Sequence, residues 1–469
     1  MRLSELFPAR EIPSAVADAR VSRVDIDSRQ VGEGSVFFAL PGGTVNGATF
    51  IDQALCAGAT YVVAQEGAVS DHERVLQLPT NELWAELANA SYRIVGDPQR
   101  ELDMVGVTGT NGKTSVATFV TSLLRYLGRD AATIGTLTHV RTTPEAPELA
   151  RTMRAYLSEW QPEPVHPAVA LEVSSHALDQ HRVDGLVFDV AVFTNLSHDH
   201  LDYHETMDRY LAVKATLFTP ERSRHAVVWN DGEWSEKLLS MATTTATVLE
   251  PDSLGVVEAS IGRLKFQWRG HVIESRLTGR YNAVNLALAL EACAQLGADV
   301  DKLVVAASRV EPVPGRCELV SSPTRTVLVD FAHTPDGLAT VLRDVRSMHA
   351  GRIITVFGCG GDRDTAKRSV MGHIAGDLSD VSIVTNDNPR SEDPSAIAAQ
   401  VVSGMPSGAT YQVILDRRDA IREALALAGA EDIVIVAGKG HEKTQQIGAT
   451  VIDFDDVAVA RELVEEMSC

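Results

Sequence analysis

One six-residue segment, Gly109-Thr110-Asn111-Gly112-Lys113-Thr114, limits what this chain can fold into more than any other. A strand-like run, Met104-Val105-Gly106-Val107, leads into it, and a helix-like run from Ser115 to Val120 leads out. Strand, glycine loop and helix in that order form a phosphate cradle. Glycines let the backbone approach a polyphosphate, and the loop N–H groups with the helix N-terminus supply partial positive charge. Lys113 can reach the terminal phosphates and Thr114 can bind Mg2+, so ATP or GTP is the expected ligand. Val107 stands where the general pattern of such loops has its first glycine.

At 469 residues the chain exceeds one hydrophobic core, and roughly two to four domains are expected. Sixty-three acidic against 42 basic residues give a net charge of −21. That balance argues against nucleic acid or an anionic membrane as the main partner, while allowing a locally basic cleft for an anionic small substrate. The five cysteines, Cys56, Cys293, Cys317, Cys359 and Cys469, are widely spread without CxxC spacing, which indicates neither a disulfide framework nor a zinc site. The N-terminus has no long apolar core, and no later run approaches the roughly 18 apolar residues of a membrane span. A cytoplasmic monomer is expected.

The chain reads as three α/β units. Residues 1–92 carry short β-like pieces such as Ser35 to Leu40 and an alanine-rich helical stretch near Ile51 to Ala59. From 93 to 313, strand runs such as Ala168 to Val173 and Asp189 to Phe193 alternate with helical segments, which argues for a mainly parallel sheet with the cradle at a strand's carboxyl end. Pro312-Val313-Pro314-Gly315 resembles a hinge or boundary. Residues 314–469 repeat the rhythm with strand runs at Thr326 to Asp330, Ile353 to Phe357, Ser382 to Thr385 and Asp432 to Ala437, each ending in a polar or glycine-rich loop where ligand contacts should gather.

In the second unit, Glu172-Val173-Ser174-Ser175-His176 follows a strand run, and a later one leads to Thr194-Asn195-Leu196-Ser197-His198-Asp199-His200-Leu201-Asp202. Glu172 and His200 suit Mg2+ if those strand ends adjoin the cradle; the alternative is a polar loop cap. Lys214 sits on an otherwise apolar helix, Tyr210 to Phe218, where a lysine most often snorkels to the surface. Asn282 and Asn285 open an alanine- and leucine-rich helix. One fits an N-cap, and the other could read the edge of a nucleotide base.

The cradle, the Glu172–His176 and Asp199–Asp202 segments, the Lys214 helix and the Asn282 helix start together resemble the Mur ligase family, ATP-dependent amide-forming enzymes of peptidoglycan precursor synthesis. That resemblance implies a small nucleotide-sugar domain, a central ATPase domain and a C-terminal Rossmann-like domain. It implies that Lys214 is carbamylated and holds one Mg2+ with His200 while Thr114 and Glu172 hold another. Carbamylation converts a cation into an anionic oxygen ligand and needs a neutral amine, which a partly buried lysine can supply. Lys113, Glu172, His200 and Lys214 are the implied catalytic set, and Asn282, Asn285 and Arg316 join the cradle in holding ATP. Ser28, Thr142, Thr143, Ser174, Gln180 and Arg182 are the implied contacts to the UDP-substrate.

The third unit carries Asp330-Phe331-Ala332-His333-Thr334-Pro335, a Gly358–Asp364 loop, Asp387-Asn388-Pro389-Arg390 and Gly438-Lys439-Gly440-His441-Glu442. This set is similar to the diaminopimelate-adding members of the family, which implies UDP-N-acetylmuramoyl dipeptide and meso-diaminopimelate as substrates. Arg363, Asp387, Asn388, Arg390, Gly438 and Glu442 are then the amino-acid contacts. Arg390 offers a planar fork for the distal carboxylate that diaminopimelate has and L-lysine lacks. Four features depart from the family pattern: Asn46 replaces an aspartate, the 137–141 connection is short, Asn386 replaces an acidic residue, and Phe331 replaces a tyrosine. A related ligase with another acceptor carboxylate, or with L-lysine as the amine, remains open at this level.

Overall fold

The strand that ends in the cradle, Asp103–Thr108, lies inside a six-stranded sheet whose neighbours all run parallel. In spatial order the strands are Ala246–Leu249, Ser223–Trp229, Phe188–Phe193, Asp103–Thr108, Ala168–Glu172 and Ala131–Ile134. The inner strands carry buried apolar runs such as Ala168 to Leu171 and Val190 to Phe193, as a sheet covered on both faces requires. Helices Lys113–Tyr126 and Tyr281–Gln295 cover one face, and Ala146–Glu159 with Met207–Ala215 the other. Register fixes the working edge. Val107 pairs with Glu172 and Thr108 with Phe193, so the cradle, Glu172 and Thr194 emerge side by side.

The computed structural model describes residues 1–42, 45–68, 72–160, 165–322 and 325–467; Gly43, Thr44 and Cys469 lie outside the described residues. A four-stranded parallel sheet, Arg23–Asp25, Ser35–Ala39, Tyr61–Gln65 and Val75–Leu78, forms the first unit. Helix Thr80–Ile94 runs through the boundary expected at residue 92. It is apolar on two sides: Leu83, Leu87 and Ala90 pack on the first sheet, while Ala88 and Tyr92 join the central core.

The third unit is a second six-stranded sheet, parallel apart from the edge strand Glu318–Ser322. Asp330 pairs with Ala437 and Phe357 with Val384, which brings the Phe331, Gly438, Gly358 and Thr385 turns to one edge. That edge faces the cradle: Asn111 Nδ2 donates to Asp336 Oδ2 at 3.3 Å. The 312–315 segment, expected as a hinge or boundary, is packed, with Val313 buried in the central core. Gly315, at φ +65°, lies so close to the Gly440–His441 backbone that a Cβ would sit 2.1 Å from His441 N. No helix among the described residues is long and apolar enough to cross a membrane.

Candidate active site

The cradle is built for close approach. Gly109 has φ +147°, and a Cβ there would lie 1.9 Å from Thr194 Oγ1; a Cβ on Gly112, at φ +87°, would lie 2.6 Å from Asn285 Oδ1. A side chain at either position would collide with Thr194 or Asn285, and both glycines take a backbone that L side chains rarely adopt. The loop is braced from the neighbouring strand end, where Asn195 Oδ1 accepts from Asn111 N at 2.9 Å and Thr110 Oγ1 accepts from Ser197 N at 3.0 Å. Lys113 Nζ donates to Gly109 O and Thr110 O, both at 2.9 Å, so its ammonium already lies over the loop.

The predicted metal-binding side chains surround this loop. Thr114 Oγ1 donates to Glu172 Oε2 at 2.9 Å, and the same carboxylate accepts from Thr136 N at 2.8 Å. Lys214 does not snorkel. Its side chain is 1% exposed and points inward, donating to Gly109 O at 2.9 Å and Thr108 Oγ1 at 3.3 Å. Burial, and then the nearby Lys113 ammonium, push its pKa well below that of a free lysine, which favours a neutral amine. The Tyr210 ring lies between Lys214, 4.7 Å away, and His200, 6.2 Å away. Burial holds the His200 imidazole at a pKa of about 4, with Asp199 opposing and His176, Lys113 and Lys214 reinforcing. Neutral imidazole is the form that binds metals. Among the described residues no three His, Cys, Asp or Glu side chains converge as a closed metal cage. An open set of hydroxyl, carboxylate and imidazole fits Mg2+, which is usually held by few protein ligands together with phosphate oxygens.

Beside the cradle, between the two sheets, is a cavity of about 290 Å3 whose lining includes Gly112, Asn285, Arg316, Trp229, Tyr281 and Asp336. Asn285 faces it, but Asn282 does not. Asn282 Nδ2 donates to Thr278 O at 2.8 Å while its Oδ1 accepts from Asn285 Nδ2 at 3.2 Å, so it braces its neighbour. Neither is the N-cap, which is Arg280 without a side-chain bond. Arg316 Nη2 reaches Thr114 Oγ1 at 3.1 Å, and its guanidinium lies 4.3 Å above the Phe331 ring.

A second cavity of about 320 Å3 joins the His198–Asp199–His200 loop to the third unit. All six predicted amino-acid contacts, Arg363, Asp387, Asn388, Arg390, Gly438 and Glu442, line it. Arg390 takes a left-handed backbone, φ +50°, held by Arg390 N to Gln446 O at 3.2 Å and Gly448 N to Arg390 O at 2.7 Å. Its Nη1 donates to Gly361 O at 2.6 Å. Asn386, where an acidic residue was expected, acts through its carbonyl, which accepts from Arg417 Nη1 at 3.2 Å.

The predicted UDP-substrate contacts do not form one surface. Ser28 lines a cleft of about 860 Å3 between the first and central units, together with Val140 and Arg141 of the short connection. Asn46 caps the turn at the cleft rim, its Oδ1 accepting from Ala48 N at 3.0 Å. Thr142, Thr143, Ser174, Gln180 and Arg182 instead form a chain beside Glu172. Thr143 Oγ1 donates to Glu172 O at 2.8 Å, Ser174 N donates to Thr143 Oγ1 at 3.1 Å, and Arg182 reaches Thr143 O at 2.9 Å and Gln180 Oε1 at 2.6 Å. Thr136 Oγ1 donates to Thr142 Oγ1 at 3.2 Å, tying the chain to the carboxylate end. This network lies between cradle and cleft. Sequence reasoning did not single out Asn195, His333, Asp336 or Lys367, which face the two inner cavities. Asn195 and His333 stood inside quoted motifs, whereas Lys367 is one of many helix-borne cations with no local signal.

Three family models match the chain in succession: the Mur ligase family, catalytic domain over residues 20–92, the Mur ligase middle domain over 107–293, and the Mur ligase, glutamate ligase domain over 315–440. The chain is 41% identical over 491 residues to the UDP-N-acetylmuramoyl-L-alanyl-D-glutamate--2,6-diaminopimelate ligase of Parasynechococcus marenigrum, with 97% of each covered. It is 38% identical over 471 residues to the ligase of that name from Geobacillus kaustophilus, with 94% of each covered. A solved structure of a ligase of that name is 30% identical with a TM-score of 0.71, spanning 100% of this chain and 99% of its own. The MurF ligase of Thermotoga maritima, solved with ADP, shares the fold at 19% identity and a TM-score of 0.63, with 95% and 97% covered.

Proposed function

The chain belongs to the Mur ligase family, and from that premise we propose that it is an ATP-dependent amide ligase adding meso-diaminopimelate to UDP-N-acetylmuramoyl-L-Ala-D-Glu in peptidoglycan precursor synthesis. In the reaction an oxygen of the D-Glu γ-carboxylate attacks the γ-phosphorus of ATP and ADP leaves. The amine of the incoming amino acid then attacks the acyl carbon, inorganic phosphate leaves, and the amine gives up its proton. Phosphoryl transfer needs alignment and charge neutralisation more than a covalent nucleophile, and neither a Ser nor a Cys is required.

Each unit takes one part of this. Residues 1–92 bind the UDP end through Ser28 and the large cleft, 93–313 bind ATP, and 314–469 bind the amino acid. Lys113 exchanges its two loop carbonyls for phosphate oxygens, Asn285 and Arg316 hold the nucleotide, and the Thr143–Arg182 network steers the acceptor carboxylate toward the cradle. Thr114, Glu172, His200 and a carbamylated Lys214 would hold Mg2+, which would supply charge neutralisation for phosphoryl transfer. Contacts between the second and third units exclude water from the acyl phosphate. With a nucleotide-linked substrate and ATP, the cytoplasm is the fitting compartment, and the enzyme acts there as a monomer.

The observation that carries the amino-acid reading is one cavity lined by Arg363, Arg390 and Glu442 together with the His198–His200 loop. The lining as a whole carries three cations, Arg363, Lys367 and Arg390, and five carboxylates, Asp199, Asp202, Asp364, Asp387 and Glu442, and such mixed charge beside a phosphoryl site matches a substrate bearing carboxylates and ammonium groups at both ends. ADP release measured with the UDP-dipeptide and either meso-diaminopimelate or L-lysine tests this directly. Release is expected with the first amino acid and far less with the second. Equal turnover of both would leave only the general ligase reading, and release that depends on a different carboxylate acceptor would replace the substrate assignment.

A further inference from the structure

Behind the wall of the amino-acid cavity lies a lysine that the chemistry above does not use. Lys439 follows the strand Ile433–Ala437, and its side chain has no exposed surface. Burying an ammonium is costly unless its N–H groups are taken up. Here three acceptors surround it: Thr444 O at 2.7 Å, Glu442 Oε2 at 2.9 Å and Asn388 Oδ1 at 3.3 Å. Nζ therefore has no donor left for a ligand. Lys439 does not line the cavity, whereas Asn388 and Glu442 both do.

Asn388 is consequently locked in one orientation. Its Oδ1 accepts from Lys439 Nζ and from Gln446 N at 2.9 Å, while its Nδ2 donates to Glu442 Oε2 at 2.8 Å. Turning the amide over would set its N–H groups against an ammonium and a backbone donor. Glu442 is fixed in turn, because Oε2 takes both donors and Oε1 accepts none among the described residues. One buried cation thus aims a carboxylate oxygen at the cavity and offsets that carboxylate's charge.

We propose that Lys439 is a specificity-determining positioning residue: it holds Asn388 and Glu442 in place for a distal ammonium and keeps the pocket neutral enough to admit a distal carboxylate beside it. This rests on the amino-acid reading of the cavity given above. Removing the charge makes the pocket more negative, which penalises diaminopimelate, with its extra carboxylate, more than L-lysine.

The test is kcat/KM for both amino acids, at saturating ATP and UDP-dipeptide, in the wild type and in Lys439→Met, which keeps the chain length without the charge. The ratio of meso-diaminopimelate to L-lysine efficiency should fall on the order of tenfold, as expected for one uncompensated charge at pocket distance. The loss should appear in the amino-acid KM with the ATP KM unchanged. Gln445→Leu serves as the uncharged control, because Gln445 Nε2 bonds Asn386 O at 3.3 Å and Asp387 O at 2.8 Å and so steadies the same loop. It should lower both efficiencies equally. If Lys439→Met does not accumulate as folded protein, Lys439→Gln, which retains a donor for Thr444 O, is read in the same way. Equal losses for both amino acids in the lysine variants, or the same ratio change in Gln445→Leu, would overturn the proposal. A wild-type enzyme that releases ADP with neither amino acid would instead overturn the functional reading on which it rests.

Discussion

Arg316 and Thr114 are joined across the two sheets, Nη2 donating to Oγ1 at 3.1 Å. The arginine belongs to the segment entering the third unit and the threonine to the first turn of the cradle helix. A residue from outside the central unit therefore reaches the cradle helix, and in the proposed nucleotide site binding would be linked to the packing of the two units against each other.

Arg316→Met should raise the ATP KM because it removes the guanidinium while keeping apolar contact with Phe331. A charge-assisted hydrogen bond is worth about 1.5–3 kcal/mol, which corresponds to on the order of 10- to 100-fold. The amino-acid KM should change little, since Arg316 does not line that cavity. Equal changes in both constants would indicate a general loosening of the interface.

Lys214→Ala should be severely impaired, and short carboxylic acids should restore part of the activity by occupying the vacated space with an anionic oxygen. Nζ points inward, and burial with the nearby Lys113 ammonium lowers its pKa well below that of a free lysine, the direction that carbamylation requires. Mass spectrometry under carbon dioxide and a rescue titration check this. A fully active alanine variant would remove Lys214 from the mechanism.

The cradle was legible because its residues are contiguous and follow a strand run, whereas the residues lining the second cavity were singled out through the family resemblance and come from separate loops, each after a strand. Parallel register then brings such strand ends to one edge without further information, as Val107 beside Glu172 illustrates. Lys214 was not legible from its own helix: whether a single lysine in an apolar stretch faces solvent or the cradle depends on packing against Thr108 and Gly109. Asn282 and Asn285 share a helix face by spacing, yet only Asn285 borders the nucleotide cavity, because Asn282 turns back to Thr278 O. The Thr80–Ile94 helix spans the boundary expected at residue 92 and packs toward both neighbours.

Arg390→Ala should lower efficiency with meso-diaminopimelate by roughly 30- to 4000-fold, since an unpaired, partly buried carboxylate can cost about 2–5 kcal/mol. The ATP KM should stay within about twofold, because Arg390 borders only the amino-acid cavity. Steady-state kinetics with each substrate varied in turn separate these outcomes, and an unchanged amino-acid KM would exclude Arg390 from carboxylate binding.

A histidine at the contact between the first and central units carries a pH signature through a partner in its own unit. His181 stacks near Trp84, with ring centroids 6.4 Å apart and planes at 22°, and its Nδ1 bonds Asp184 Oδ2 at 2.8 Å. The hydrogen bond to Asp184 raises the His181 pKa above its ordinary value of about 6.5, against opposing effects of burial and of Arg222. A group whose folded pKa is raised stabilises the fold fully below its unfolded pKa and loses that contribution as pH rises through the folded one. His181→Gln should therefore melt below the wild type by the widest margin under about pH 6.5, and the margin should shrink at more alkaline pH. The His181 side chain is 39% exposed, so solvent screens the pair and the margin should stay below about 1 kcal/mol. Thermal melts of both proteins from acid to alkaline pH, followed by circular dichroism, provide the measurement. A margin that widens with rising pH would mean that His181 is neutral in the folded protein and that the interface is held by its ring contact alone.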